Sequence, residues 1–325
     1  MTKPVRPAPT AGLDLAASVL RALGSSVAHD VALGPMTTYR VGGAAALFVR
    51  PRNVDDLAIV AEACRAGEVP VLVVGRGSNL LVADDGFKGV AVSLADLGTE
   101  ITVADTLVHA GGAVALPMLA RRTVAASLTG FEWAVGVPGS VGGGVRMNAG
   151  GHGSDMAATL VDVDVFDLHR AGFAVLPAAR LGLRFRGSDL ADHQVVLSAR
   201  LRLADGDRVT GAAELDEIVR WRREHQPGGQ NAGSVFVNPV PGEVTAGALV
   251  ERCGLRGHRL GTAHVSDKHA NFIQADDGGR AADVRALIDL VRNRVEAETG
   301  YVMRSEVKLV GFADVEADHA SGVMW

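Results

Sequence analysis

The stretch GVPGSVGGGVRMNAGGHG, residues 136–153, constrains this chain more than any other part of its sequence. Eight of its 18 residues are glycine, and few of its side chains are able to fill a hydrophobic core. Glycine loses more backbone freedom on folding than any other residue, so such a cluster is costly to order. We therefore expect this backbone either to lie close to another group or to need several residues with positive φ.

A second glycine-bearing segment, GRGSNLL, follows the buried strand predicted for VLVV at residues 71–74. Backbone N–H groups in such a turn can converge on phosphate oxygens. The segment lacks the Gly-Lys-Ser/Thr of a P-loop, and Leu80 occupies the place of the third glycine of a dinucleotide-binding loop. Two separate loops point to a diphosphate with a bulky group at each end, as in a flavin dinucleotide. Ordinary turns are the alternative interpretation of either loop alone.

The composition predicts a globular chain of two or three domains, with 325 residues of which 48% are hydrophobic. The net charge of -5 argues against a nucleic-acid partner, which usually binds a basic patch. Cys64 and Cys253 lack the spacing of a zinc site or a disulfide framework, so we expect no metal and two thiols in a reducing compartment. Without a signal segment or a long apolar run, we predict a cytoplasmic protein that does not contact a membrane.

Hydrophobic periodicity and stop signals predict a mixture of helices and strands. A helix is expected after an Asn53 cap, and another ends at Gly300. The other elements expected here are helices at 14–23, 114–127 and 212–225, long strands near 160–168 and 195–203, and a final strand at 301–311.

Seven sequence blocks occur between Thr37 and Gly311, in the order TTYRVGG, GRGSNLLV, GFEWAVGVPGSVGGGVRMNAGG, RFRGS, NAGSVFVNP, SDKHANFI and EVKLVG. Together they resemble the UDP-N-acetylenolpyruvoylglucosamine reductase (MurB) family. The resemblance implies an α+β FAD-binding fold of the para-cresol methylhydroxylase/vanillyl-alcohol oxidase type, with two α+β subdomains, and a C-terminal α+β substrate domain. The prolines of MTKPVRPAPTAG predict a disordered leader at 1–12, and a tail is expected at 315–325. Between them, the resemblance implies FAD-binding subdomains at 13–97 and 98–210 and a substrate-binding domain at 211–314.

The resemblance also implies the reaction. Family members reduce UDP-N-acetylglucosamine enolpyruvate to UDP-N-acetylmuramate with NADPH, a step of peptidoglycan precursor synthesis that serves cell wall biogenesis, cell shape and cell division. NADPH gives hydride to FAD, and the hydride then passes to the vinyl carbon of the substrate. We expect a non-covalent FAD, because GRGSNLL offers no His or Cys as a tether. We expect no partners beyond these small molecules, and a monomer.

By resemblance, the FAD diphosphate lies against GRGSNL, where Gly77, Ser78 and Asn79 supply N–H and side-chain donors. The long glycine-rich stretch lines the rest of the cofactor, where side chains would collide with it. The predicted FAD-binding residues are Gly75, Arg76, Gly77, Ser78, Asn79, Leu80, Gly136, Pro138, Gly139, Ser140, Gly142, Gly143, Asn148 and Ala149.

Three residues match the catalytic groups of the family. Arg186 in RFRGS is implied to grip the substrate carboxylate, since a guanidinium can hold a carboxylate through two hydrogen bonds. Ser234 in NAGSVFVNP is implied to protonate the carbon beside that carboxylate, and Glu306 in EVKLVG to help polarise it. Without the resemblance, Arg186 would be interpreted as a surface arginine on a strand edge and Ser234 as a serine in a turn. Glu306 would be interpreted as a residue on a half-solvated strand face.

Asn238 resembles a family residue that contacts the nucleotide diphosphate of the substrate. Some family members carry an insertion with a tyrosine that closes over the substrate. Here Arg186 and Ser234 are 48 positions apart with no Tyr between them, so we assign the chain to the shorter type that lacks this insertion. The Arg222–Arg223 pair and Lys268 are the candidates for covering the diphosphate instead.

Two other functions compete with this interpretation. An FAD oxidase of the same fold would take electrons from an alcohol and give them to oxygen, but the missing tether and the complete Arg, Ser and Glu set favour the reductase. A non-catalytic nucleotide-binding protein would keep the glycine loops and have no use for the catalytic set. NADPH oxidation that depends on the enolpyruvyl sugar nucleotide would separate the three.

Overall fold

The computed structural model describes residues 9–240 and 242–313 and shows helices interspersed with strands. The helices are α1 (Pro9–Leu20), α2 (Val54–Gly67), α3 (Leu116–Ala125), α4 (Val141–Arg146), α5 (Arg208–His225), α6 (Ala246–Arg252) and α7 (Ala281–Thr299). The strands are β1 (Val27–Ala32), β2 (Ala44–Val49), β3 (Val71–Val74), β4 (Leu80–Val82), β5 (Phe87–Ser93), β6 (Ile101–Ala104), β7 (Leu107–Gly111), β8 (Leu128–Thr129), β9 (Gly150–Gly151), β10 (Ser154–Asp155), β11 (Leu160–Asp167), β12 (Gly172–Pro177), β13 (Gln194–Arg202), β14 (Ala204–Asp205), β15 (Arg259–Leu260), β16 (Ala263–Val265), β17 (Ile273–Ala275) and β18 (Lys308–Val310).

The described chain divides into two units. Unit 1 contains the chain up to Val31 together with Ala45–Arg76 and Lys88–Asp216. Unit 2 contains Ala32–Ala44, Gly77–Phe87 and the chain from Glu217 onward. Unit 2 therefore includes two early segments that the sequence analysis assigned to the first FAD-binding subdomain. The predicted boundaries at 97/98 and 210/211 stay predictions.

Unit 1 is built on two sheets. One has the strand order β1-β2-β5-β3, with β3 parallel to β5, and the other is antiparallel with the order β12-β11-β13-β7-β6. Leu57 and Val60 of α2 are buried in one core with Val90 and Val92 of β5. The valines of β3 favour a pleated, half-buried strand, and the chain leaves this strand at Gly75.

Unit 2 is built around α7. Its buried side chains recur every three or four positions, which places them on one face of the helix: Val284, Leu287, Ile288, Val291 and Val295. The antiparallel sheet β15-β16-β17 contributes Val265 and Ile273 to the same core. Strand β18 pairs in parallel with β4, so that Lys308 lies opposite Leu80. This pairing brings the chain that follows Gly77 next to the last strand.

Several predicted elements are confirmed and others shift. Asn53 caps α2 by accepting the N–H of Asp56 (2.8 Å), and α7 ends at Gly300 with φ +75. Helix α1 begins at Pro9, so residues 9–12 of the predicted leader are helical and the predicted start at residue 14 is wrong. The predicted strand at 301–311 is reduced to β18 and one bridge at Ser305. Residues 1–8 of the leader and the predicted tail at 315–325 lie outside the described residues.

The start of α7 is capped from a distant part of the chain. Arg280 occupies the N-cap position without a capping side chain, and the Asp84 carboxylate accepts the N–H groups of Ala281 (2.8 Å) and Ala282 (3.0 Å) instead. We expect Asp84→Ala to lower the free energy of unfolding by about 1–2 kcal/mol, because the helix loses both its cap and a favourable negative charge. Urea denaturation measures this loss. Asp85→Ala, at an exposed neighbouring residue, is the control, and an equal loss in both variants would contradict the capping role.

Candidate active site

The turn after β3 is shaped by the chain itself at Gly77. This residue has φ +62, a conformation that favours glycine, and a Cβ placed on it would collide with the carbonyl oxygen of Met36. The Cβ would also lie 2.7 Å from the Cα of Thr37. The tight approach of these two backbone segments fixes the path of the chain into Ser78 and Asn79.

Two consecutive N–H groups of this turn suit an anion. Among the residues that the structure describes, none accepts a hydrogen bond from the N–H of Ser78 or of Asn79. Successive N–H groups of this kind form a concavity that binds phosphate oxygens, which fits the predicted contact with the FAD diphosphate. The Asn79 side chain is used differently, since its Nδ2 donates to the Glu306 backbone carbonyl oxygen (2.8 Å). The backbone carbonyl of Asn79 accepts the N–H of Lys308 (2.9 Å).

Ser234 and Glu306 are brought together within unit 2. Phe236 and Ser305 form an antiparallel bridge, and the Val235 carbonyl oxygen accepts the N–H of Glu306 (2.7 Å). Both Ser234 and Glu306 are half-buried. The predicted proton donor and the predicted carboxylate therefore lie on paired chain segments, and Asn79 contacts the second of these segments.

Asn271, in the block SDKHANFI, was not among the residues predicted from the sequence. This residue is buried, with 4% of its surface exposed, and lies against the segment that carries Ser234. Its side-chain Oδ1 accepts the N–H of Phe236 (3.0 Å), and its Nδ2 donates to the Phe236 carbonyl oxygen (2.8 Å). Its backbone carbonyl accepts the N–H of Val235 (2.8 Å). An asparagine inside a block of unassigned function was the only signal available in the sequence.

In unit 1 the two glycine-bearing segments meet. A Cβ placed on Gly75 would lie 2.7 Å from the Ser140 Oγ, so the chain at Gly75 passes directly beside Ser140. Ser140 is buried and caps α4 by accepting the N–H of Gly143 (3.4 Å). The N–H of Gly142 donates to the Gly112 carbonyl oxygen (2.9 Å), so this donor is used within the protein.

The glycines of the long stretch differ in what surrounds them. A Cβ on Gly142 would lie 3.2 Å from the Gly112 carbonyl oxygen, and one on Gly144 would lie 2.9 Å from the nearest side chain. A Cβ on Gly143 would have its nearest neighbour at 3.5 Å, and one on Gly151 would meet no described atom within 4 Å. Packing within the protein accounts for the first pair. The open backbone at Gly143 and Gly151 leaves room for a ligand, which fits the predicted FAD.

Arg186 lies in a tight turn and not on a strand edge. Arg184 and Gly187 close this turn through two backbone hydrogen bonds (3.0 and 3.1 Å), and Arg186 between them has φ +57. A positive φ is unfavourable for any residue with a Cβ, and strain of this kind often marks a functional residue. The Arg186 Nη1 donates to the Gly150 carbonyl oxygen (2.9 Å), so the guanidinium reaches the glycine-rich stretch.

Asn148 holds the same region together. Its Nδ2 donates to the Asp155 carboxylate (2.9 Å) and to the Arg184 carbonyl oxygen (3.2 Å), and its Oδ1 accepts the N–H of Ala157 (2.9 Å). These bonds commit the amide to the protein, so the Asn148 side chain supports the turn that carries Arg186. The FAD contact expected at Asn148 from the sequence stays a prediction, and its supporting role is visible only in the structure.

The predicted substrate residues lie in unit 2. The Lys268 Nζ donates to the Arg223 carbonyl oxygen (2.6 Å) at the end of α5, which places Lys268 beside the Arg222–Arg223 pair. Arg222 is half-buried, and burial lowers the pKa of its guanidinium. The Asn238 Oδ1 accepts the N–H of Ala246 (3.0 Å) at the start of α6. Lys268 thus lies beside the backbone of the arginine pair, while Asn238 also supports a helix.

Neither a metal cluster nor a membrane span is found in the described part of the chain. No group of three or more His, Cys, Asp or Glu side chains there is arranged to hold a metal ion, and none of the described helices is both long and apolar enough to cross a bilayer. Cys64 is buried, which raises the pKa of its thiol to about 12, and Cys253 is half-buried. Both cysteines are free thiols.

Comparisons with known proteins identify the family of this chain. Residues 225–310 match the model of the UDP-N-acetylenolpyruvoylglucosamine reductase C-terminal domain, and residues 45–169 match that of an FAD binding domain. The UDP-N-acetylenolpyruvoylglucosamine reductase of Heliobacterium modesticaldum is 42% identical over 284 residues, which cover 87% of this chain and 90% of that protein. The chain belongs to the UDP-N-acetylenolpyruvoylglucosamine reductase family.

Two other members of the UDP-N-acetylenolpyruvoylglucosamine reductase family are also similar to this chain over most of its length. The Gloeobacter violaceus reductase is 40% identical over 285 residues, covering 86% of this chain and 95% of that protein. The crystal structure of the Thermus caldophilus reductase, MurB, matches with a TM-score of 0.73 and 33% identity, over 87% of this chain and 98% of that one. The family read from the seven sequence blocks is confirmed, and so is the α+β FAD-binding fold with a C-terminal domain.

Proposed function

We propose that the chain is an FAD-dependent NADPH oxidoreductase that reduces UDP-N-acetylglucosamine enolpyruvate to UDP-N-acetylmuramate in peptidoglycan precursor synthesis. The observation that carries this proposal is the pairing of the Ser234 and Glu306 segments, tied by Asn79 to the Gly77–Leu80 turn. Within one unit, hydrogen bonds of the backbone and of the Asn79 amide therefore join the segments that carry the Ser234 hydroxyl, the Glu306 carboxylate and the N–H groups of Ser78 and Asn79. Family membership supplies the reaction in which such a set is useful.

The reaction requires three things of the protein. Bound FAD supplies hydride transfer from NADPH to the terminal vinyl carbon of the substrate. The residues must then stabilise the negative charge that spreads onto the substrate carboxylate, and must deliver one proton to the adjacent carbon. Hydride and proton together complete the two-electron reduction of the double bond.

Ser234 is proposed as the proton donor. Gly233, with φ +80, turns the chain just before Ser234, and its N–H donates to the Asn231 Oδ1 (3.0 Å). Val235 just after it is held on both sides, by Asn271 and by Glu306. A hydroxyl whose neighbours in the chain are fixed in this way can be aimed at one carbon atom, which general-acid catalysis needs.

Arg186 and Glu306 are proposed to act on the charge of the carboxylate. A guanidinium can hold both carboxylate oxygens and becomes more favourable as their charge grows. Glu306 is proposed to polarise the same group during protonation. Asn238, Arg222 and Lys268 are proposed to contact the sugar nucleotide, because Lys268 lies beside the backbone of the arginine pair and all three basic residues carry the positive charge that suits a diphosphate.

The assay that tests this function follows NADPH oxidation at 340 nm with purified, FAD-loaded protein. We expect rapid oxidation only when the enolpyruvyl sugar nucleotide is present. Oxygen consumption with an alcohol and without NADPH would instead indicate an oxidase of the same fold. Binding of the sugar nucleotide without any NADPH oxidation would indicate a non-catalytic protein.

The FAD is proposed to be held by the predicted FAD-binding residues without a covalent bond, because neither His nor Cys occurs in GRGSNLL. The purified protein is then expected to be yellow, and acid precipitation should release all of the flavin into the supernatant. Flavin absorbance that remains with the washed pellet would show a covalent link. Release can be quantified from the absorbance of the supernatant near 450 nm.

A monomeric state and a cytoplasmic location, serving cell shape and cell division, are also proposed. The negative net charge and the absence of a membrane-length helix among the described residues are compatible with both. Light scattering on the eluted peak of a size-exclusion column measures the mass, which for a monomer is the 33.6 kDa of the chain.

A further inference from the structure

We infer that Asn271 is a positioning residue for Ser234, and that its buried amide holds the segment that follows Ser234 in place beside the segment of Glu306. The inference rests on the proposed role of Ser234 as the proton donor. The hydrogen bonds of the Asn271 amide and backbone carbonyl reach Phe236 and Val235. Asn271 acts through the two residues that follow Ser234.

Asn271 supplies a hydrogen-bond partner to three polar groups of the backbone that it faces. The amide accepts one hydrogen bond from the Phe236 N–H and donates one to the Phe236 carbonyl, at 3.0 and 2.8 Å. The backbone carbonyl of Asn271 accepts a hydrogen bond from the N–H of Val235 (2.8 Å). The side-chain amide and the backbone carbonyl of Asn271 thus supply the hydrogen-bond partners that a neighbouring β-strand would otherwise supply to this segment.

The opposite edge of the same segment holds the chain of Glu306. The Val235 carbonyl accepts the Glu306 N–H (2.7 Å), and the Val237 N–H donates to the Arg304 carbonyl (2.9 Å). Residues 235–237 therefore form the middle of a three-part arrangement, with Asn271 on one side and residues 304–306 on the other. Any shift of this middle segment moves Ser234 relative to Glu306.

Burial makes the amide difficult to replace. Asn271 is 4% exposed and Phe236 is 2% exposed, so water has little access to groups that lose their partner. Replacing Asn271 by Ala leaves a buried N–H and a buried carbonyl of Phe236 unsatisfied, and the segment is expected to shift in order to pair them. Displacement of a reacting group by about 1 Å can reduce a rate by about 10²-fold.

The first experiment measures both half-reactions of the FAD-loaded enzyme by stopped-flow absorbance. For Asn271→Ala we expect reoxidation of the reduced flavin by the enolpyruvyl substrate to slow by about 10–100-fold, because Ser234 is misaligned. Reduction of the flavin by NADPH should stay within about twofold, since it uses no proton from Ser234. A variant that slows both half-reactions equally, or neither, would overturn the inference.

The matched control is Asn53→Ala. Asn53 also bonds through its side-chain oxygen to a backbone N–H, that of Asp56 at the start of α2 in unit 1. This variant should lower the unfolding midpoint, as Asn271→Ala does, and leave both half-reactions unchanged. If Asn53→Ala slowed reoxidation to the same extent, the effect of Asn271→Ala would be a general loss of stability, and the inference would fail.

A second variant, Asn271→Asp, tests the hydrogen-bond pattern itself and serves if Asn271→Ala does not fold. A neutral carboxyl group has one donor and one acceptor, like the amide, whereas the ionised form has no donor for the Phe236 carbonyl. We expect the reoxidation rate of this variant, divided by the wild-type rate at the same pH, to rise at least tenfold as the pH falls through the carboxyl pKa. The division removes the pH dependence that the two proteins share. Both proteins contain the ionisable groups nearest this position, which are His269, whose Nδ1 accepts the Asn271 N–H (3.2 Å), and Glu306. A ratio that does not change with pH would overturn the inference.

Ser234→Ala separates this inference from the proposed function. If Ser234→Ala slows reoxidation and Asn271→Ala does not, the proton donor stands and the positioning role fails. If Ser234→Ala has no effect, the proposed function of Ser234 fails, and the inference about Asn271 fails with it.

Discussion

Ser234→Ala should reduce turnover of the enolpyruvyl substrate by about 10²–10⁴-fold, the range that a general acid usually contributes. Flavin binding and flavin reduction by NADPH should be unchanged, because the Ser234 side chain is proposed to act only in the protonation step. The measurement is reoxidation of the pre-reduced flavin at saturating substrate. Native turnover in this variant would show that Ser234 is only a turn residue.

The variant Ser234→Cys tests whether any proton donor at this position is sufficient for turnover of the enolpyruvyl substrate. A thiol has a pKa of about 8.5 in model peptides and is a better acid than an alcohol, although sulfur is larger and disturbs alignment. Cys should therefore recover much of what Ala loses, and equal loss in both variants would mean that proton donation is not the function of the hydroxyl. Ser305→Ala is the control, since the Ser305 hydroxyl accepts the Val307 N–H (3.1 Å) in the segment paired with Phe236. It should keep nearly native turnover.

Local sequence signals predicted the elements that local interactions determine. Asn53 and Gly300 were recognised as helix ends because a cap and a left-handed stop depend on residues within one turn. The VLVV strand was recognised from its β-branched run. The leader was predicted wrongly at residues 9–12, because its prolines obscured a helix that starts at Pro9, where proline is tolerated in a first turn.

The arrangement of the candidate site depends on contacts between distant residues, which a single sequence does not encode in any local pattern. Asp84 caps α7 across 197 positions, and the Asn79 amide reaches Glu306 across 227. Resemblance to the family supplied the identities of Ser234 and Glu306, but the backbone bridge that pairs their segments is visible only in the structure. The amide of Asn271 was missed for the same reason, since its partner Phe236 lies 35 positions away.

The glycines of the long stretch have two different kinds of surroundings. The long stretch was expected to be bare because a cofactor lies against it, and this stays a prediction for Gly143 and Gly151, whose surroundings are open. Gly142 and Gly144 are crowded by the protein itself. Composition alone cannot separate these two causes, because both demand the same missing side chain.

The second large effect is expected at Arg186. Arg186→Lys should slow flavin reoxidation by the substrate by about 10²–10³-fold, the usual loss when one group that stabilises the developing charge is removed. Lysine keeps the positive charge but loses the planar fork that holds both carboxylate oxygens. Flavin reduction by NADPH should be nearly normal, so the loss should be confined to the oxidative half-reaction.

Two features of the turn make this substitution a clean test. Lysine carries the same Cβ as arginine, so the cost of φ +57 at position 186 is unchanged and no large change in stability is expected. Arg184 in the same turn is an exposed arginine that pairs with Asp189, so Arg184→Lys controls for the loss of a guanidinium near the site. We expect native reoxidation in Arg184→Lys. An unchanged reoxidation rate in Arg186→Lys would remove Arg186 from the site, and its positive φ would then need another cause.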